Sequence, residues 1–292
     1  MNPFSIGGAI LPLDKAPGPT SHDVVTRVRR VLDIRKVGHT GTLDPFASGL
    51  LLLCLGSATR LSEYLTGLDK TYLATVRLGV ATTTHDPEGE VVGESRTWED
   101  LERFRVEEVL QGFRGDLLQR PPAFSAKKVR GEAAHRRARR GEAVELPPAE
   151  VRIDALEVVE WGLPDLRIRV RCSSGTYVRA LARDLGEALG TGAHLRALRR
   201  TTVGDFRVED ALPLERLAAA TAEEYWIPPA RALAHLPDVL VDAEQAALLA
   251  DGRWLTLERD LPPGPIAVRC GPALVAVATA DGRRLRPRKV FR

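Results

Sequence analysis

The chain has 292 residues, 44% of them hydrophobic, enough to bury a sizeable core and to build about two domains. Three cysteines, at 54, 172 and 270, are odd in number and form no C-x-x-C pair, which argues against a disulfide framework or a zinc site and fits a reducing cytoplasm. A net charge of +3 is too small to establish nucleic-acid binding, and no stretch nears the roughly 18 apolar residues of a membrane span or forms a secretory leader, so a soluble cytoplasmic protein with no membrane association is expected.

In chain order, Thr20 or Ser21 can cap a helix whose apolar residues Val24, Val25, Val28, Val31 and Leu32 recur at helical spacing. That helix leads into the loop Gly38-His39-Thr40-Gly41-Thr42-Leu43-Asp44-Pro45, which presents one carboxylate between two glycines and a proline. Gly38 and Gly41 are expected to allow backbone conformations closed to other residues, and Pro45 restricts Asp44 to an extended one. The run Leu50 to Leu55 reads as a buried strand or helix start that anchors the loop in the core. Alternation at Tyr72, Ala74, Val76 and Leu78 predicts a strand. Two more follow at Val151 to Val159 and Leu166 to Cys172, the latter with Arg167, Arg169 and Arg171 on its opposite face. Leu181 to Leu189 reads as a helix ended by Gly190. Strands and helices mix without a regular βαβ repeat, so the fold class is α+β.

Residues from about 115 to 148 interrupt this pattern with two Pro-Pro pairs and a basic cluster of Arg120, Lys127, Lys128, Arg130, Arg136, Arg137, Arg139 and Arg140, with only Glu132 as an acid among them. Such an excess attracts phosphates, although a solvated face would carry the same residues. A second cluster, Arg283, Arg284, Arg286, Arg288, Lys289 and Arg292, closes the chain. Composition shifts at Trp226-Ile227-Pro228-Pro229. Beyond it, short apolar runs at Val239 to Thr256 and Ile266 to Ala280, broken by glycine and proline turns, suggest a small β-rich module.

Four blocks carry a family resemblance. Asp14-Lys15-Ala16-Pro17-Gly18-Pro19-Thr20-Ser21 is similar to a D-K-P-x-G-x-T-S motif, with Ala16 then Pro17 as a slight departure. The Asp44 loop matches G-H-T-G-x-L-D-P. The strand from Tyr72 to Gly79 is followed by Thr82-Thr83-Thr84-His85-Asp86-Pro87-Glu88-Gly89, and Cys172-Ser173-Ser174-Gly175-Thr176-Tyr177-Val178-Arg179 leads on to Asp184-Leu185-Gly186, Gly192-Ala193-His194-Leu195 and Leu198-Arg199-Arg200. Together these resemble the TruB family of tRNA pseudouridine synthases, of the bacterial stand-alone type. The resemblance implies a core of mixed, mainly antiparallel sheet with flanking helices over residues 1–228, an RNA-gripping thumb at about 115–148, and a PUA-like RNA-binding domain at 229–292. It also implies an enzyme that converts uridine 55 in the T loop of tRNA to pseudouridine, as a monomer with no obligatory protein partner.

The resemblance assigns Asp44, Tyr72 and Arg179 to catalysis and His39, Asp86, Lys128, Tyr177 and Leu198 to substrate binding. Asp44 would act as nucleophile or base, at uracil C6, at C1′ or on the ribose 2′ proton. Arg179 would keep it ionised, aimed inward by the Ser174 to Tyr177 turn. Tyr72 would stack on the uracil, Tyr177 and Leu198 would wall the pocket, His39 would help displace the target nucleotide, and Asp86 would contact RNA near the flipped base. Out of context, Asp44 is a turn residue and Tyr72 a half-buried core residue. The isomerisation involves no redox change, so no cofactor is expected. No metal is expected either, since the six histidines are scattered without H-x-x-x-H spacing. Two other classes compete. A phosphotransferase using Asp44 would want a second carboxylate two residues on, where Phe46 stands, and a pure RNA binder would not need Asp44, Tyr72 and Arg179 together. A sibling synthase working with a guide RNA is the closer alternative.

Overall fold

The computed structural model describes residues 8–125, 127–129, 132–134, 137, 140, 142, 144 and 146–291. Two compact units make up the chain. The first comprises Met1–Asp44, Leu50–Gly67 and Val208–Arg292, and the second comprises Pro45–Gly49 and Leu68–Arg207.

The first unit opens with β1 (Ala9–Lys15), buried along nearly its whole length. α1 (Ser21–Leu32) starts where the sequence offers a cap. The Asp23 N–H donates to Thr20 Oγ1 at 3.1 Å while the Thr20 N–H donates to the Asp23 carboxylate at 2.9 Å, a reciprocal arrangement that satisfies two otherwise orphaned donors. Val24, Val25 and Val28 form its buried face, and Asp33 ends it in the left-handed region at φ 53°. Arg29 then donates to the Val37 carbonyl at 2.8 Å, tying the helix to β2 (Val37–His39). β2 pairs antiparallel with β3 (Ser48–Leu55), Val37 opposite Leu55 and His39 opposite Leu53. The apolar run is therefore a strand, buried from Gly49 to Leu55, which is how a strand covered on both faces reads in sequence. α2 (Ser62–Thr66) follows.

The second unit is built on β4 (Lys70–Leu78), whose alternation is the one expected from the sequence. A hairpin of β5 (Val80–Thr82) and β6 (Val91–Glu94), then α3 (Arg103–Gln111) and β7 (Gly115–Gln119), lead into the insertion, which contains the two-residue strands β8 (Lys128–Val129) and β9 (Glu132–Ala133). β10 (Ala149–Glu160), β11 (Asp165–Cys172), α4 (Val178–Ala188), β12 (Ala193–Val203) and β13 (Phe206–Arg207) complete it. The strands run β12-β4-β11-β10-β7, all antiparallel, while the start of β3 joins β12 in parallel. Lys70, Tyr72, Ala74, Val76 and Leu78 share a buried face with Leu166, Ile168, Val170 and Cys172, and Arg167, Arg169 and Arg171 are exposed on the other. α4 packs on β12, and Leu181, Ala182 and Leu185 are among its buried residues.

The chain then returns to the first unit. β14 (Leu212–Pro213) lies parallel to β1, and α5 (Ala219–Glu223) and α6 (Pro229–Ala232) follow. Between those helices, Ile227 exchanges two backbone hydrogen bonds with Ile10, at 2.9 and 2.8 Å. The tail holds β15 (Asp238–Leu240), α7 (Ala243–Ala250), β16 (Leu255–Thr256), β17 (Pro265–Cys270), β18 (Ala273–Asp281) and β19 (Arg284–Val290), its strands ordered β15-β17-β18-β19-β16. Val239, Leu249, Ile266, Val268, Ala276 and Leu285 form its core. This is the expected β-rich module, with one helix in a stretch read from sequence as an apolar run. Arg60 donates to the Val290 carbonyl at 2.7 Å and lies over the Phe291 ring, while Lys289 lies over the Tyr64 ring and pairs with Glu63. Arg130, Arg136, Arg139 and Arg292 of the two basic clusters lie outside the described residues.

Candidate active site

Asp44 is held by its neighbours in the chain. On its N-terminal side, the buried Ser21 hydroxyl accepts from the Leu43 N–H at 2.9 Å and donates to the Leu43 carbonyl at 3.0 Å. One side chain at the start of α1 thus satisfies both backbone groups of the residue before Asp44. The preceding loop is also tied down, because the Thr40 N–H donates to the Leu52 carbonyl at 3.1 Å and extends the β2–β3 pairing past His39. Lys15, fully buried, donates its ammonium to the Ala16 and Pro19 carbonyls at 3.0 and 2.9 Å, bracing the turn before α1.

On the C-terminal side, the chain enters the second unit at Pro45. Ser48 and Gly49 pair with Arg199 and Arg200 of β12, and Gly49 sits there at φ +102°. A Cβ at that position would lie 2.2 Å from the Arg200 carbonyl oxygen, so only glycine permits this approach. The conformational demand expected at Gly38 falls instead at Gly49. Gly38 is a strand residue in β2, with nothing within 4 Å of where its Cβ would be.

Within the second unit, Arg179 is the second residue of α4. The helix starts three residues before the apolar period suggests, so Arg179 projects from a first helical turn rather than from the turn before it. It is 5% exposed. Its guanidinium donates to the Asp86 carboxylate at 3.2 Å, to the Thr84 carbonyl at 3.2 Å and to the Phe124 carbonyl at 2.9 Å. The other Asp86 oxygen accepts from the Thr84 hydroxyl at 2.5 Å and from the Glu88 N–H at 3.0 Å. Asp86 is therefore occupied by protein donors, and Thr84 serves both members of the pair. Between them His85 takes a left-handed φ of 61°. Burial, then the cations of Arg183 and Arg179, lower its pKa and favour the neutral ring.

Tyr72 and Leu198 are neighbours on the same buried face, Leu198 opposite Ala74 and Arg200 opposite Tyr72, with 8% and 9% exposure. Tyr177 caps α4, its backbone gripped by the buried side chain of Gln119, which accepts from the Tyr177 N–H at 2.8 Å and donates to its carbonyl at 3.1 Å. Lys128 lies in β8, and its side chain is outside the described residues. In the insertion, Arg137 pairs with Glu142, and Arg140 pairs with both Glu132 and Glu142. Those carboxylates hold Arg140 charged, so phosphate binding there competes with salt bridges already made. Burial pushes the Cys54 thiol up to about 12 and the Cys172 thiol up to about 11, which leaves both unreactive.

The sequence matches family models along most of its length. Residues 29–178 match the TruB family pseudouridylate synthase N-terminal domain, and residues 179–247 match the tRNA pseudouridylate synthase B C-terminal domain. The chain belongs to the TruB family. It is 40% identical to a tRNA pseudouridine synthase B of Corynebacterium diphtheriae over 98% of this chain and 96% of that one. A tRNA pseudouridine synthase B of Burkholderia pseudomallei is 45% identical over 94% and 91%. Among solved structures, an H/ACA RNP bound to a substrate RNA containing 2′-deoxyuridine has a TM-score of 0.75 at 26% identity, covering 97% of this chain and 85% of that one. An archaeal box H/ACA Nop10-Cbf5 complex gives 0.74 at 27%, covering 98% and 87%.

Reading motifs alone missed Ser21, Gln119 and Thr84 as supporting residues. Ser21 and Thr84 lie inside two of the family blocks, which was the available signal. Gln119 had none.

Proposed function

We propose that this protein is a tRNA pseudouridine synthase that isomerises uridine 55 in the T loop, working in the cytoplasm as a monomer without a guide RNA or protein partner. The reaction breaks the bond from C1′ to N1, turns the uracil in place and joins C1′ to C5. The C5 hydrogen leaves as a proton and N1 gains one. Asp44 is the carboxylate that starts it, by attack at C6 or C1′ or by taking the ribose 2′ proton. Tyr72 stacks on the base, Tyr177 and Leu198 wall it, and His39 helps displace the nucleotide from its stack. Arg179 supplies the cation, and Asp86 acts through Arg179 by fixing its orientation. Lys128 and the insertion grip the RNA backbone.

What supports this reading most is a loop whose sequence resembles the family's G-H-T-G-x-L-D-P motif and whose contacts pin the chain on both sides of Asp44, which is what preorganised chemistry requires. The test is incubation with unmodified tRNA carrying tritium at uracil C5. Label should be released without a guide RNA or second protein, and the product should map to the T loop. Asp44→Asn keeps the size and most hydrogen bonding but loses the anionic oxygen, so release should fall below detection while tRNA affinity and thermal unfolding stay near the parent values. Turnover by that variant at more than a small fraction of the parent rate would make Asp44 a turn residue and end the proposal.

A further inference from the structure

The arginines of the last strand are not alike. Lys289 is engaged with Glu63 and the Tyr64 ring, and Arg283 lies 3.9 Å from Asp260. Arg284, Arg286 and Arg288 form no salt bridge among the described residues, and all three are exposed. Arg284 and Arg286 flank the buried Leu285, so they project from the same face of β19, about 6.8 Å apart at the usual strand rise. Arg288 follows two residues later, beside an irregularity in the pairing with β18.

Among the described residues, Asp281 is the one acidic register partner of this face; its other partners are threonines. Arg284 pairs with Thr256 on one side, and Arg286 pairs with Thr279 on the other. Asp281, the register partner of Arg284, forms no salt bridge with it. Trp254 comes one residue before Leu255, the register partner of Leu285, and the Arg286 guanidinium lies 5.6 Å from the centre of its ring. Trp254 is 48% exposed, and Arg253 beside it is exposed too. A large aromatic left half in solvent on a small module that has its own closed core is not needed for packing.

We infer that Trp254 and the arginines 284, 286 and 288 form a platform for an unpaired RNA segment, with one base stacked on the exposed part of the indole and phosphates along the arginine row. Unpaired RNA is the occupant that fits both halves of the feature. Guanidinium groups without carboxylate partners suit phosphates, and an exposed aromatic ring suits a base that is free to stack. A duplex, whose bases are already stacked, would use only the arginines. The inference rests on the reading of this chain as an RNA-modifying enzyme and deepens it by naming a second contact region and the state of the RNA it takes.

The test uses the full chain, a single-stranded 12-residue oligoribonucleotide of mixed sequence, a duplex of the same length, and the tRNA substrate. Replacing the three arginines by glutamine should reduce the salt slope of oligonucleotide binding by about 2, at about 0.7 per lost phosphate contact. Trp254→Ala should weaken that binding about 5- to 150-fold, and Trp254→Phe should keep most of it. Tritium release at saturating tRNA should be unchanged in all three variants. An unchanged affinity and slope in variants with parental unfolding curves would overturn the platform, as would duplex RNA competing as well as the single strand. If the parent bound the oligonucleotide through these residues yet released no tritium, the activity would fail and the surface would stand.

Discussion

At the scale of single residues, the site depends on groups that perform no chemistry. Ser21 touches no candidate reacting atom, but it holds both backbone groups of Leu43, one residue before Asp44. A buried N–H or C=O left without a partner costs about 1–3 kcal/mol, so Ser21→Ala leaves two such groups with reason to rearrange. A displacement of about 1 Å at a reacting group can cost on the order of 100-fold in rate. Ser21→Ala should therefore lower kcat by about 10- to 100-fold with KM for tRNA little changed. Ser21→Thr, which keeps the hydroxyl, should recover part of the loss. Steady-state kinetics decide it: an unaltered kcat, or a change confined to KM, would mean that the Leu43 backbone does not set the aspartate's position.

At the scale of elements, local order was legible and long-range pairing was not. The Thr20 cap, the valine face of α1 and the alternation in β4 and β11 follow from nearest neighbours and period, which a sequence displays directly. The start of α4 was hidden because Tyr177 at its cap and the buried Arg179 in its first turn are polar groups that break the apolar period. The partners that define the candidate site lie 22, 58 and 93 residues apart, for Ser21 with Leu43, Gln119 with Tyr177 and Arg179 with Asp86, and no local pattern encodes them. Period 2 also hides chemistry, because it places Lys70 at a buried position of β4 as readily as Tyr72. Burial, reinforced by the charge of Arg200, pushes the Lys70 ammonium down to about 8. Its pKa is thus lower folded than unfolded, where about 10.4 is usual. Between those values the unfolded chain binds more protons, so stability rises with pH across the window, and the cost of burying the cation is fully present below pH 8. Relative to Lys70→Met, the parent should gain stability as pH rises from 8 to 10.5. Denaturant titrations of both proteins at several pH values measure this, and a constant difference would show that Lys70 carries no such penalty.

At the scale of the whole molecule, the chain crosses between its two units at residues 44, 49, 67 and 207, so neither unit can be excised by one cut. The tail, which we propose as an RNA-binding module at 229–292, is bound into the first unit by side chains near α2. Arg60 and Lys289 make the attachment, each combining a hydrogen bond to a backbone carbonyl with a contact to an aromatic ring. A cation over an aromatic face contributes about 0.5–2 kcal/mol, and a hydrogen bond of this kind about 0.5–1.5 kcal/mol. Losing both attachments should therefore lower the stability of the first unit as well as loosening the tail. Arg60→Ala combined with Lys289→Ala should reduce the midpoint of thermal unfolding by about 4 to 14 °C, at the roughly 2 °C per kcal/mol expected for a chain of this size. The same double variant should become open to proteolysis between residues 229 and 242 while the hydrophobic core of the tail keeps that module folded. Differential scanning calorimetry and limited proteolysis followed by mass spectrometry would read both effects. An unchanged midpoint, together with an unchanged cleavage pattern, would mean that the contacts from Arg60 and Lys289 do not hold the tail.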